Sequence, residues 1–323
     1  MRSNSSSNKR LLLLFVFCGF FLFVRGTARA GYKGYVRDNV IITPQQLKAL
    51  MDKKEPKLVV LAVARIDQYL GGHIPGAIRV WRPDYEPPEN KPFPYEGMIL
   101  NRIDFQKFAR KLGIDNDSIV VIYDHKYDAT RLWWAFFLYG KRDCKVLDGG
   151  FQAWKAAGYP VDHFKKGKPK KVGNFVAKDP LPGWTAHMED IWRAKDNPDV
   201  QLWDTRGMKE WTGEKLKRGA YRKGRIPWVT GLWCWKELKM PVKKGEKPTA
   251  FKPASEVEKV LKKHGVDRNK HQIFYCQSGV RTTTNIFVLY MLGWDVNKLH
   301  NYDGSWIEWS YYKENPVVCE KCK

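Results

Sequence analysis

The sequence predicts an α/β protein made of two tandem copies of one domain, each a parallel sheet flanked by helices. Three observations predict it. Short apolar runs alternate with helical patterns along most of the chain, as in parallel strands joined by crossover helices. The 323 residues suit about two domains, and 43% hydrophobic with 14% aromatic residues supply large cores. The halves also repeat each other. GGHIPGAIRVW (71–81) returns as KGRIPWVTGLW (223–233), VVIYDHKYDATRLWWAFFLYG (120–140) as QIFYCQSGVRTTTNIFVLYMLG (272–293), and VLDGGFQAW (146–154) as NYDGSWIEW (301–309). These matches keep their order and lie 152, 152 and 155 residues apart, too long a period for a solenoid, so they mark two globular units.

Taken in order, residues 1–30 read as an address. Arg2, Lys9 and Arg10 precede the apolar run Leu11–Val24, and Ala28-Arg29-Ala30 follows it. This is the pattern of a secretory signal peptide cleaved after Ala30. The run is short for a membrane span of ~17–25 residues, and an uncleaved N-terminal anchor is the alternative. Bulky Phe17 before Cys18 argues against a lipoprotein site. Thr43-Pro44 caps and starts a helix reaching about Asp52. Leu58–Ala64, Ile119–Asp124, Lys145–Leu147, Gln201–Asp204 and Gln272–Cys276 read as buried parallel strands. Ile103–Leu112 and Ser255–Lys263 are amphipathic helices that Gly113 and Gly265 would end. Leu132–Tyr139 and Asn285–Leu292 are nearly all apolar and read as buried helices. The divisions are a first unit at 31–165, a basic, proline-marked crossing at 166–183, a second unit at 184–318 and a CxxC tail at 319–323.

Composition excludes several classes. The aromatic content is too high for a disordered chain. A mean hydropathy of −0.51 with one apolar run excludes a multi-span membrane protein. The formal charge is +23, and without the five basic residues of 1–30 it is still +18, so the basicity belongs to the folded part. The basic residues are dispersed apart from 165–171 and no nucleic-acid motif accompanies them, so the charge suits small anions or an anionic membrane surface and no nucleic acid is expected. Five cysteines follow residue 30, an odd number too small for a disulfide scaffold, so at least one is free or pairs with another molecule. Cys319 and Cys322 could close on each other in an exposed tail. They lack the His or second Cys pair of a zinc site, and no metal or cofactor is expected.

Chemistry centres on Cys276. It ends a strand, and Gln277-Ser278-Gly279-Val280-Arg281 leads to a helix starting near Thr282. Ligands of parallel sheets bind at the carboxyl ends of strands. A tight loop there turns backbone N–H groups inward, the helix N-terminus adds partial positive charge, and Arg281 adds a full one. All three favour a thiolate, so the Cys276 pKa should be depressed. Cys144 reads as a core residue, and Cys234 has no assigned role.

At these residues the chain resembles the tandem-domain rhodaneses, the thiosulfate and 3-mercaptopyruvate sulfurtransferases. Tyr69-x-x-x-His73-Ile74-Pro75-Gly76-Ala77 is similar to the family's N-terminal signature, and Tyr302-Asp303-Gly304-Ser305-Trp306-x-Glu308-Trp309 to its C-terminal one. Asp204-Thr205-Arg206 matches the Asp-x-Arg that opens its domains, and Cys276-x-x-Gly279-Val280 its catalytic loop. The resemblance implies a Cys276 thiolate that takes the sulfane sulfur of a small anionic donor such as thiosulfate and passes it to a thiol or cyanide. Gln277, Ser278, Gly279, Val280, Arg281 and Thr282 would bind substrate and persulfide. Asp204, Arg206, His73 and Trp306 are possible supports, each with a structural alternative. Asp124 stands where Cys276 stands in the other copy, which implies an inactive first domain that supplies one wall of the site.

Two departures leave the donor open. Glu210 occupies the place of the family's second, donor-gripping arginine, and Gln277-Ser278 is neither the Arg-Lys associated with thiosulfate nor the Gly-Ser associated with mercaptopyruvate. Arg281 and Arg222 could restore the lost charge. The rivals are a phosphatase, whose loop has five residues between Cys and Arg rather than the four here, a persulfide carrier or envelope scaffold, and a redox role for Cys319 and Cys322.

Overall fold

The apolar runs become the strands of two separate sheets. The computed structural model describes Met1 and residues 31–88 and 92–322; the stretch 1–30, read above as a signal peptide, lies outside the described residues apart from Met1. In the first half β1 (Ile41–Ile42), β2 (Leu58–Val63), β3 (Ile78–Val80), β4 (Ile119–Asp124) and β5 (Lys145–Leu147) form a parallel sheet of order β1-β5-β4-β2-β3. In the second half come β6 (Thr185–Ala186), β7 (Val200–Asp204) and β8 (Gly231–Leu232), then β9 (Lys239–Pro241) and β10 (Pro248–Phe251), then β11 (His271–Tyr275) and β12 (Leu299–Tyr302). Of these, β9 and β10 pair antiparallel as a ribbon. The other five form a parallel sheet of order β6-β12-β11-β7-β8, matching the first sheet strand for strand. The duplication read from the sequence is therefore a duplication of topology.

Local chemistry sets the boundaries. Thr43 and Gln46 exchange side-chain and backbone hydrogen bonds in a capping box at the start of helix Pro44–Asp52. Gly113 and Gly265 take φ of +77° and +66° just beyond helices Arg102–Lys111 and Ala254–His264, the left-handed step that ends a helix. Helices Ala129–Leu138 and Thr282–Met291 are buried at every residue and lie against each other at the centre. Trp133 meets Phe287 edge-on at 4.7 Å, and Thr130 Oγ1 lies 3.0 Å from Thr283 Oγ1. One apolar core around these helices spans both halves, and smaller cores cover the outer sheet faces, so each sheet is buried on both sides.

One expectation changes, and two segments gain detail. The strand before the loop ends at Tyr275, so Cys276 is the first loop residue rather than the last strand residue. The basic segment after residue 165 is mostly exposed and is also tied to the first half. Gly167 N–H donates to the Tyr69 hydroxyl, Gly173 N–H to the Arg110 carbonyl and Phe175 N–H to the Ile114 carbonyl, and the Phe175 ring is buried. Cys319 and Cys322 form a disulfide in a tail that is exposed at residues 320–322 and tied to the second half. Val318 bridges Arg225, Arg225 pairs with Glu320 at 2.7 Å, and Lys321 N–H donates to the Thr212 carbonyl.

Candidate active site

Cys276 leaves β11 into a loop that curls around its own sulfur. The backbone N–H groups of Ser278, Arg281 and Thr282 point at Sγ. The curl needs Gly279, whose φ is +63° and whose added Cβ would sit 2.8 Å from the Asp303 carbonyl oxygen. Ser305 ties the loop from below: its hydroxyl accepts from Cys276 N–H (3.1 Å) and Gly279 N–H (2.9 Å) and donates to the Tyr302 carbonyl (2.7 Å). Thr282 Oγ1 donates to the Gly279 carbonyl at 2.7 Å and meets Asn301 Oδ1 at 2.6 Å. Arg131 reaches across from the first half, with Nη1 bonded to the Gly279 carbonyl and to Asp303 and Nη2 to the Gly97 carbonyl.

Electrostatics follow from this geometry. Cys276 is buried, which pushes its thiol up, but Arg281 and the three amides outweigh burial and hold it below the ordinary cysteine value. Arg281 is not exposed. It forms a two-pronged pair with Glu210, Nη1 to Oε2 at 2.7 Å and Nη2 to Oε1 at 2.8 Å. Burial pushes Glu210 up, yet the Arg281 bonds and charge win and bring it down to about 2. The residue standing in for a donor-gripping arginine thus holds the loop's own arginine.

A cavity of about 420 Å³ opens over Cys276 between the halves. Gln277, Ser278, Val280 and Arg281 line its floor, while Lys217, Arg218 and Ile307 line the second-half side. Trp81, Arg82, Glu86, Glu96 and Tyr127 come from the first half. Gln277 Nε2 donates to the Arg218 carbonyl at 3.0 Å, tying loop to wall. Gly279 and Thr282 act through the loop backbone and do not line the cavity.

The candidate supports take the structural alternatives given for them. His73 is far from the cavity: its ring stacks on Tyr69 at 3.7 Å, and its nitrogens meet the Tyr69 and Lys165 carbonyls at 2.9 Å. It fixes the turn. Arg206 grips Asp204 through Nε and Nη2 and donates to the Gly224 carbonyl, a buried pair that lines no part of the cavity. Trp306 is core, its indole N–H bonded to the Arg222 carbonyl and its face against Arg206. Arg222 does not restore charge to the site; its guanidinium is spent on the carbonyls of Trp309, Ser310, Tyr312, Lys313 and Asn315. Sequence reasoning missed Ser305, Arg131, Lys217 and Glu86. Ser305 and Asp303 lay inside the YDGSW motif and could have been found there; the others carry no local signal.

The first half shows the same loop filled differently. Asp124 Oδ1 accepts from Lys126 N–H and Oδ2 from Ala129 N–H, so a carboxylate sits where the other loop holds sulfur. Lys239, buried in β9, faces it. Each half also closes on the other: Ile99 N–H donates to Asp303 at 2.9 Å, and Phe251 N–H, 152 residues on, donates to Asp148 at 2.8 Å.

Known proteins share this arrangement. The Rhodanese-like domain family matches residues 43–157 and again 187–311. A protein of Saccharopolyspora erythraea provisionally named thiosulfate sulfurtransferase is 31% identical over 77% of this chain and 85% of its own. The sulfur carrier protein TtuD of Thermus thermophilus is 30% identical over 88% of this chain and 98% of its own. The anaerobic ergothioneine biosynthesis enzyme of Chlorobium limicola, solved with trimethyl histidine, is similar at a TM-score of 0.72 and 25% identity, over 87% of this chain and 70% of that one. With both repeats matched and these relatives spanning most of its length, the chain belongs to the rhodanese-like sulfurtransferase family.

Proposed function

We propose that the chain is a thiosulfate sulfurtransferase working through a persulfide on Cys276. The observation that carries this reading is a buried sulfur ringed by three backbone N–H groups and Arg281, at the floor of a cavity open to small molecules. The Cys276 thiolate attacks the outer sulfur of thiosulfate. The S–S bond of the donor breaks, its electron pair leaves with sulfite, and a Cys276 persulfide anion remains. The loop amides take up the charge without moving, and removing one such donor typically costs ~100-fold or more in rate. A thiol or cyanide then takes the outer sulfur, and the electron pair of the Cys276–sulfur bond returns to Sγ. No general base is needed when the thiol is already ionised. 3-Mercaptopyruvate is the second donor.

The test is steady-state release of sulfite and thiocyanate from thiosulfate and cyanide. Wild type should turn over continuously and Cys276→Ser should not; turnover surviving in Cys276→Ser refutes the reading. A second reading, a persulfide carrier, is favoured by the name of the Thermus relative. Loading of one sulfur without continued sulfite release would select it. Phosphatase activity lost in Cys276→Ser would overturn both. We further propose that residues 1–30 direct the chain out of the cytoplasm. N-terminal sequencing of the exported protein should begin at Gly31, and an intact Met1 on a membrane-bound protein would contradict cleavage.

A further inference from the structure

The charges around the cavity are sorted by half. Two of its arginines are already satisfied, Arg82 by Asp128 at 2.8 Å and Arg281 by Glu210. Four charged groups remain that line the cavity and, among the described residues, have no opposite charge within 4 Å. Lys217 and Arg218 are on the second half, Glu86 and Glu96 on the first. Glu86 Oε1 is buried and has no hydrogen-bond partner. Burial pushes the Glu86 carboxyl up to about 7 against the pull of Arg131 and Arg82, so it gains strongly from a cation placed beside it. Glu96 reaches the neighbourhood of Gly219, with Oε1 2.9 Å from where a Cβ there would stand, so acidic and basic walls meet at one rim next to Arg218.

A small inorganic dianion uses only half of this lining, because Glu86 and Glu96 repel it. A ligand with an ammonium and a carboxylate close together uses both walls. We propose that the sulfur acceptor is a zwitterionic α-amino-acid thiol, its ammonium held by Glu86 and Glu96 and its carboxylate by Lys217 and Arg218. This rests on the persulfide reading of Cys276. The half without a nucleophile then selects the acceptor. In the step itself the acceptor thiol gives its proton to the outer sulfur of the Cys276 persulfide anion, and the acceptor sulfur attacks that same atom. The new S–S bond forms as the Cys276–sulfur bond breaks, its electron pair returns to Sγ as thiolate, and the acceptor leaves as a hydropersulfide carrying the proton.

The test preloads Cys276 with thiosulfate and follows loss of the extra sulfur by mass spectrometry. The probes are L-cysteine, cysteamine, 3-mercaptopropionate and 2-mercaptoethanol. Intrinsic thiol reactivity cancels when each probe's rate is divided between variant and wild type. Glu86→Gln should lower the rate ratio of cysteine to 3-mercaptopropionate about tenfold, the equivalent of ~1.4 kcal/mol, and Glu96→Gln should lower it in the same direction. Lys217→Gln should lower the ratio of cysteine to cysteamine. Glu96 is exposed, so its variant keeps the test open should Glu86→Gln fail to fold. Ratios that stay within twofold of wild type in all three variants overturn the proposal. Failure of wild-type Cys276 to load at all would instead sink the persulfide reading.

Discussion

Replacing Glu210 by glutamine tests the most unexpected feature of the site, the pairing of the loop arginine with an acid. Both side chains are buried, 8% and 11% exposed, and share two bonds of 2.7 and 2.8 Å. Breaking one partner of a buried pair leaves the other charge uncompensated and costs about 3–5 kcal/mol. The titration of Glu210 gives a similar figure. It is held down to about 2 from 4.5, and at ~1.4 kcal/mol per tenfold this is about 3 kcal/mol of stability. A depressed carboxyl contributes fully above its unfolded value, so wild type should lose this stability as pH falls from 4.5 toward 2, whereas Glu210→Gln should lack it throughout. Urea denaturation at pH 7 should show the variant about 3 kcal/mol weaker, with a flatter acid limb. Reactivity should move the other way. Without Glu210 the Arg281 charge bears undivided on Sγ, so the pH midpoint of iodoacetamide alkylation of Cys276 should fall, while Arg281→Gln should raise it. A stability change under ~0.5 kcal/mol, or an upward midpoint in Glu210→Gln, would refute this account of the pair.

Other perturbations are equally direct. Ser305→Ala strands two buried amides and a carbonyl; at ~1–3 kcal/mol for a buried unpaired group it should lower thermal stability measurably and raise the Cys276 alkylation midpoint, and a neutral result would show that the loop holds itself. Deleting 319–323 removes the Glu320 partner of Arg225 and the Lys321 bond to Thr212; it should cost about 1–2 kcal/mol in denaturation while sulfur transfer survives, and lost transfer would contradict it. Turnover on an anionic donor should fall as salt rises past ~0.1 M, where the Debye length shortens to about 10 Å; a flat response would remove the role given to the excess basic charge.

How far the sequence could be read depends on which forces act locally. Strands Ile119–Asp124 and Lys145–Leu147 and helix Pro44–Asp52 were legible to the residue, because burial on both faces and a capping box write themselves into consecutive positions. Strands β1, β6 and β8 are two residues long and leave no periodic trace. The Cys276 loop was legible since strand, nest and helix are contiguous. What surrounds it was not. Arg281 meets a glutamate 71 residues away, Arg131 reaches Gly279 from the other half, and the cavity walls come from five separate segments outside the loop. His73 and Trp306, both inside recognisable motifs, serve packing and turn geometry instead of the site. The duplication itself held an unread clue: Ile99 and Phe251, one period apart, make the same bond to equivalent aspartates.

The most direct test of the central claim is the intact mass of the chain after thiosulfate. Wild type should gain one sulfur, located on Cys276 by peptide mapping, and lose it on addition of cyanide, while Cys276→Ser gains none. A sulfur carried on Cys234 or Cys144 instead, or no gain from either thiosulfate or 3-mercaptopyruvate, would contradict the account.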